Sequence, residues 1–79
     1  MIKVGQIWRG RDNNDTIVIT HIDKTFGKKQ EQWQIDYMWV DGETVSNDDA
    51  YFVKIGRNLI AEYPTWREAV NSKEFKRND

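Results

Sequence analysis

The chain has no cysteine, one proline, one histidine and one leucine among 79 residues. Without cysteine there is no disulfide staple, no thiolate nucleophile and no sulfur-built zinc site, and a reducing compartment, the cytoplasm, is the expected address. Charge of one sign is also missing. Twelve Lys plus Arg stand against thirteen Asp plus Glu, for a net charge of -1. That excludes the dense cationic surface of a dedicated duplex-DNA binder and the anionic surface of a DNA mimic. No apolar run exceeds the four residues Tyr37-Met38-Trp39-Val40, far short of the ~20 needed to span a bilayer. The opening through Trp8 lacks the apolar stretch of a secretory signal, so a soluble protein with no membrane partner is expected. The length is that of one domain, which excludes a cleft between two lobes.

Reaction motifs are absent as well. There is no Gly-x-Ser-x-Gly elbow, no phosphate-cradling glycine loop and no dinucleotide fingerprint. The lone histidine, His21, falls mid-strand between Thr20 and Ile22, where a solvent-facing or satisfied imidazole is expected rather than a general base. Asp12-Asn13-Asn14-Asp15 offers oxygen ligands but lacks the glycine at position six and the glutamate at position twelve of a calcium loop. It reads as a solvated turn. A non-enzymatic protein without cofactor or metal is the expectation.

What the chain does have is aromatics: four Trp, three Tyr and three Phe, each able to bury ~150 to 250 Å². Trp8, Trp33, Trp39 and Trp66 can replace the aliphatic mass that a chain with one leucine lacks. A short strand is expected around Gln6-Ile7-Trp8-Arg9, with Ile7 and Trp8 on opposite faces. Gly, Asn and Asp crowd residues 10–15 and predict a turn. The β-branched run TIVITHID predicts a strand over 16–23, and Gly27 with three lysines a connection over 23–31.

Trp33, Ile35, Tyr37 and Trp39 alternate at period two within 32–40, while Met38 and Val40 make the other face apolar, which predicts a strand buried on both sides. Asp41-Gly42 predicts a tight turn into a short antiparallel strand over 43–46. Ser46 with Asp49 three residues later has capping-box spacing and predicts a helical turn through Ala50 and Phe52. The rival is a strand over 51–55 turning at Gly56-Arg57-Asn58. Residues 58–63 read as a fifth strand ended by Pro64. Thr65-Trp66-Arg67-Glu68 is a capping box opening a C-terminal helical region over 66–75. Trp66, Ala69 and Val70 share one face of it. Phe75 would face away on a continuous helix, so the chain is expected to loosen near Asn71-Ser72, and 76–79 is expected to be a tail.

Five short antiparallel strands, a helical turn before the fifth and a terminal helix define a mainly β fold, a five-stranded SH3-like barrel with a short C-terminal α-helix in one domain over 1–79. An OB-type barrel is the alternative, with its helix placed between the third and fourth strands. The segment Leu59-Ile60-Ala61-Glu62-Tyr63-Pro64-Thr65-Trp66-Arg67-Glu68-Ala69-Val70, continuing to Phe75, resembles the C-termini of small uncharacterised phage and prophage proteins of Gram-positive bacteria. The opening Val4-Gly5-Gln6-Ile7-Trp8 is similar to the first strand of many small SH3-like proteins. The resemblance implies an accessory protein and supplies no catalytic residues. The loop over 10–15 is too short, and the Ala-Leu-Tyr-Asp-Tyr run too plainly missing, for proline-rich peptide recognition.

Two functions remain. The first is a protein-interaction module in which aromatics not used in the core contact a protein partner, with Trp39, Tyr51 and Arg57 as the candidate binding residues. A homodimer is a variant of it, suited to so small a core. Asp41, Glu43, Asp48 and Asp49 form a local acidic stretch suited to a basic partner or to keeping a sheet edge soluble. The second is single-stranded nucleic-acid binding through Arg9, Arg11, Lys28, Lys29 and Trp33, aided by Lys24 and Tyr37. It requires that the third-strand aromatics be free of the core.

Overall fold

The structure, a computed structural model, describes residues 1–24 and 33–76. Within them five strands form one antiparallel sheet: β1 (Gln6–Arg9), β2 (Thr16–Asp23), β3 (Gln34–Trp39), β4 (Thr44–Asn47) and β5 (Asn58–Glu62). Two short helices, α1 (Ala50–Lys54) and α2 (Trp66–Val70), accompany them. The strand order is β4-β3-β2-β1-β5. The expected mainly β, five-stranded architecture is therefore present. Its helical turn lies after β4, as expected, and not between β3 and β4, where the OB-type alternative needs it. The hydrogen-bonded ladder does not close into a barrel: β4 and β5 are its two edges, and α1 lies in the connection between them.

The alternation in β3 decides which side chains meet. Ile35 and Tyr37 are buried on one face with Ile17, Ile19, Ile2, Ala50 and Val53, and Trp8, Trp33 and Trp39 pack around them half-buried. The opposite face collects Ile7, Val18, Val40, Ala69, Val70 and Phe75, with Met38 and Trp66 at its margin. Ile7 and Trp8 thus part to opposite faces, as period two requires. Each fully buried isoleucine contributes about 1.5 to 3 kcal/mol relative to exposure.

One residue breaks the alternation. Ile19 pairs with Tyr37, but His21 pairs with Asp36, so Thr20 is an extra residue in β2. The bulge reverses the phase of the strand, which sends Ile22 to the same face as Ile17 and Ile19. Thr20 stays buried because its hydroxyl donates to the Asp36 carbonyl at 3.1 Å.

Gln6 is buried and uses all four valences of its amide. Its Oε1 accepts from the Lys3 amide (2.9 Å) and Trp8 Nε1 (3.1 Å), and its Nε2 donates to the Met1 carbonyl (3.0 Å) and Glu62 Oε1 (2.8 Å). It fastens the opening residues to β1 and β5. Beside it, Gly5 has φ +92°, and a Cβ there would lie 2.1 Å from the Tyr63 carbonyl oxygen. The Gly5 amide donates to Ile19 and its carbonyl accepts from Tyr63, so only glycine fits this crossing.

The Asp41-Gly42 turn forms as expected, with Gly42 at φ +89° and its amide donating to Trp39 at 2.9 Å. The strand that follows runs on to Asn47, and this corrects the expected helix cap. Ser46 is held in the ladder opposite Asp36, and its hydroxyl donates to Asp36 Oδ1 at 2.5 Å. Asp49 caps α1 instead. At the C-terminus Thr65 accepts from the Glu68 amide at 3.2 Å, and α2 ends at Val70 rather than filling 66–75. The Asn71 amide still donates to Arg67 in the α-helical manner, and the Ser72 amide and hydroxyl then tighten the turn by donating to Ala69. The chain then turns and buries Phe75. Residues 25–31 of the expected connection, the first residue of the strand expected over 32–40 and residues 77–79 of the expected tail lie outside the described residues; Asp23 belongs to β2, and Trp33 precedes β3.

Candidate functional site

The helix α1 is a single turn built by its ends. Asp49 is extended, and its carboxylate accepts from the Tyr51 amide at 2.9 Å, satisfying one of the donors that every helix start leaves open. At the other end Arg57 Nη1 donates to the Val53 carbonyl at 2.7 Å. The same guanidinium grips Asp15 Oδ1 through Nε (3.1 Å) and Nη2 (2.8 Å). Arg57 therefore ties the end of α1 to the turn between β1 and β2.

Ala50 and Val53, three apart, point into the core. By helical geometry the opposite side carries Tyr51, Phe52 and Ile55. These keep 59%, 57% and 52% of their surface in water. The Tyr51 and Phe52 rings lean together with centroids 5.5 Å apart. Leu59 and Ile60 of the edge strand β5 are exposed as well. Apart from Met1, every large apolar side chain exposed among the described residues falls within residues 51–60. Isolated exposed apolar side chains are ordinary; these are concentrated in one stretch of the chain.

Of the three expected binding residues, Tyr51 is one of these exposed side chains. Trp39 is half-buried against the core, with the edge of Tyr37 at 6.0 Å and the Arg57 guanidinium 5.1 Å from its ring centroid. It walls a shallow recess of about 290 Å³ shared with Asn14, Val40, Asp41 and Glu43. Arg57 has a side chain only 12% exposed and spends its donors on Asp15 and Val53. It holds the surface in place. Phe52, Ile55, Leu59 and Ile60 were not among the expected contacts. The signal for the first two was the helical spacing itself, since fixing Ala50 and Val53 inward leaves 51, 52 and 55 outward.

Of the residues expected to bind nucleic acid, Arg9, Arg11 and Trp33 are among the described ones. Arg9 donates from Nε to Thr16 Oγ1 (3.0 Å) and from Nη2 to the Glu74 carbonyl (2.6 Å). Arg11 is exposed, and Lys28 and Lys29 lie outside the described residues. Trp33 packs against the core with Lys24 Nζ 4.7 Å from its ring, and Tyr37 is buried. A recess of about 570 Å³ is lined, among the described residues, by Gln34, Ser46, Asn47 and Asp48.

His21 is exposed, and its ring lies 6.0 Å from Trp66. It stands in register with Asp36, which is itself in register with Ser46. The Ser46 hydroxyl donates to the carboxylate in this row. In the turn over 10–15, Asp12 accepts from the Asn14 and Asp15 amides and caps a 3-10 turn, Asn13–Asp15. Asp15 faces Arg57. Among the described residues no three His, Cys, Asp or Glu gather to hold a metal ion, and no helix is long and apolar enough to cross a membrane.

The chain matches no family model, no curated protein and no solved structure.

Proposed function

We propose that this chain is a non-enzymatic protein-interaction module, an accessory protein of the phage or prophage kind, working in the cytoplasm of the host cell. The observation that carries the reading is the division of α1. One side of a single helical turn anchors in the core, and the other offers Tyr51, Phe52 and Ile55 to water. Exposing three large apolar side chains favours aggregation and is tolerated where a partner covers them. Aromatic anchors of this type supply most of the binding energy in protein interfaces.

Retention of a host protein by immobilised wild-type chain, and its loss with the Phe52→Ser/Ile55→Ser variant, is the expected result. Retention of nuclease-sensitive material that the double variant leaves unchanged contradicts the reading and favours the nucleic-acid alternative.

A further inference from the structure

We infer that the recess between α1, Trp33 and the opening residues binds a small carboxylate with an apolar body, the Lys54 ammonium receiving the carboxylate and Trp33 the body. The inference goes beyond the interaction-module reading and does not depend on it, because the recess lies on the other side of α1. Ala50 and Lys54 are four residues apart and so share a side of the helix. Both line a recess of about 250 Å³ with Met1, Ile2 and Trp33. Among the described residues this lining contains none of Tyr51, Phe52 and Ile55. Ile2 and Ala50 belong to the buried core, and Trp33 packs half-buried against it.

Lys54 is what asks for an anion. Three cations among the described residues are half-buried: Arg9, Arg57 and Lys54. Arg9 donates to Thr16 and to the Glu74 carbonyl, and Arg57 to Asp15 and Val53. The Lys54 ammonium has no such partner among the described residues. A second cation is close, since Lys24 Nζ lies 4.7 Å from the centroid of the Trp33 ring. No carboxylate lines the recess among the described residues. Asp49, next to Ala50, accepts from the Tyr51 amide, and Glu62 accepts from Gln6.

The rest of the lining selects the body of the ligand. Apart from the ammonium, the described side chains offer a thioether, aliphatic carbon and an indole. A nucleobase or a sugar brings several donors and acceptors that such a lining leaves unpaired, at a desolvation cost. A phosphate group calls for more donors than one ammonium supplies, whereas a carboxylate carries a single charge. The volume is just below the ~300 Å³ at which pockets for drug-sized ligands begin, so the body is a single ring or a short chain.

The test titrates the whole isotope-labelled chain with hydrocinnamate, its primary amide and phenylpropylamine, reading amide and indole signals by nuclear magnetic resonance. Trp33→Phe assigns the Trp33 indole signal. Hydrocinnamate is expected to move that signal saturably. Lys54→Met keeps the stem and removes the charge, and is expected to weaken binding by about tenfold or more, with Lys54→Arg restoring most of it. The amide and the amine are expected to bind about tenfold more weakly or worse. Phe52→Ser/Ile55→Ser is expected to leave the titration unchanged, and the backbone amide spectrum checks the fold of each variant. A chain that retains no host protein but binds hydrocinnamate in this way refutes the interaction-module reading and upholds the recess. Equal binding of the amide, or binding that ignores Lys54→Met, overturns the inference. So does the lack of a saturable shift at Trp33, or a shift centred on Tyr51 and Phe52 instead.

Discussion

Val53 and Phe52 are adjacent in the chain and opposite in the structure: Val53 is fully buried in the core while Phe52 keeps 57% of its surface in water. The pair separates scaffold from surface. Val53→Ala removes two buried carbons' worth of packing, and about 1 to 3 kcal/mol of stability should go with it. Phe52→Ser, which deletes a much larger side chain, should change stability by no more than about 0.5 kcal/mol. Urea unfolding of the two variants checks the contrast, and a larger loss for Phe52→Ser contradicts it.

Gly5 and Gly42 both have positive φ, but only Gly5 is crowded, by the Tyr63 carbonyl. Gly42→Ala meets nothing within 4 Å and should cost about 1 kcal/mol for the backbone conformation alone. Gly5→Ala must also push β5 away from β1 and should cost at least about 2 kcal/mol. Thermal midpoints measured side by side give the order.

Arg57 and Asp15 meet across 42 residues of chain. Their side chains are 12% and 37% exposed, so solvent screens the pair and its coupling in a double-mutant cycle should be about 1 kcal/mol or less. Arg57→Met also strips the cap from the Val53 carbonyl, so it should destabilise more than Asp15→Asn. Equal losses would show that the cap contributes nothing.

Tyr63 donates its hydroxyl to the Glu74 carboxylate, in the turn that carries Phe75 into the core. That hydrogen bond is the main cause holding the Glu74 pKa below the usual glutamate range and raising the Tyr63 pKa above the usual phenol value. A carboxylate with a depressed folded pKa stabilises the fold at pH above its unfolded value. The contribution is lost as pH falls through the folded one. The phenol works in the other direction: its contribution holds below the unfolded value and is lost as pH rises through the raised folded one. Acid titration of stability should therefore lose a component in Glu74→Gln, and alkaline titration a component in Tyr63→Phe. Profiles identical to wild type contradict the clamp.

Much of the sheet was legible because its signals are local. Trp33, Ile35, Tyr37 and Trp39 announce one face of β3 by alternation, and the distance from Trp66 to Phe75 already implies a broken helix. The bulge at Thr20 was not legible, since a shift of phase in β2 depends on which residue of β3 stands opposite. Ser46 and Asp49 could each cap a helix. The choice fell to β3, whose pairing with β4 through Asn47 takes Ser46 into the ladder. Gln6 looked like an ordinary polar position between Gly5 and Ile7. Its four partners come from Met1, Lys3, Trp8 and the distant Glu62. At the candidate site, residue type alone points to Tyr51, which is exposed. Arg57 reads as a contact residue in the sequence because its partner Asp15 is remote.

Side-chain labelling by hydroxyl radicals in the free protein tests most directly whether the aromatics of the sheet are consumed while those of α1 are spare. Tyr51 and Phe52 should be the most reactive aromatic residues of the described chain, with Tyr37 and Phe75 protected and Trp33 and Trp39 between them. Protection of Tyr51 and Phe52, or uniformly high reactivity across Tyr37, Trp33, Trp39 and Phe75, contradicts the account.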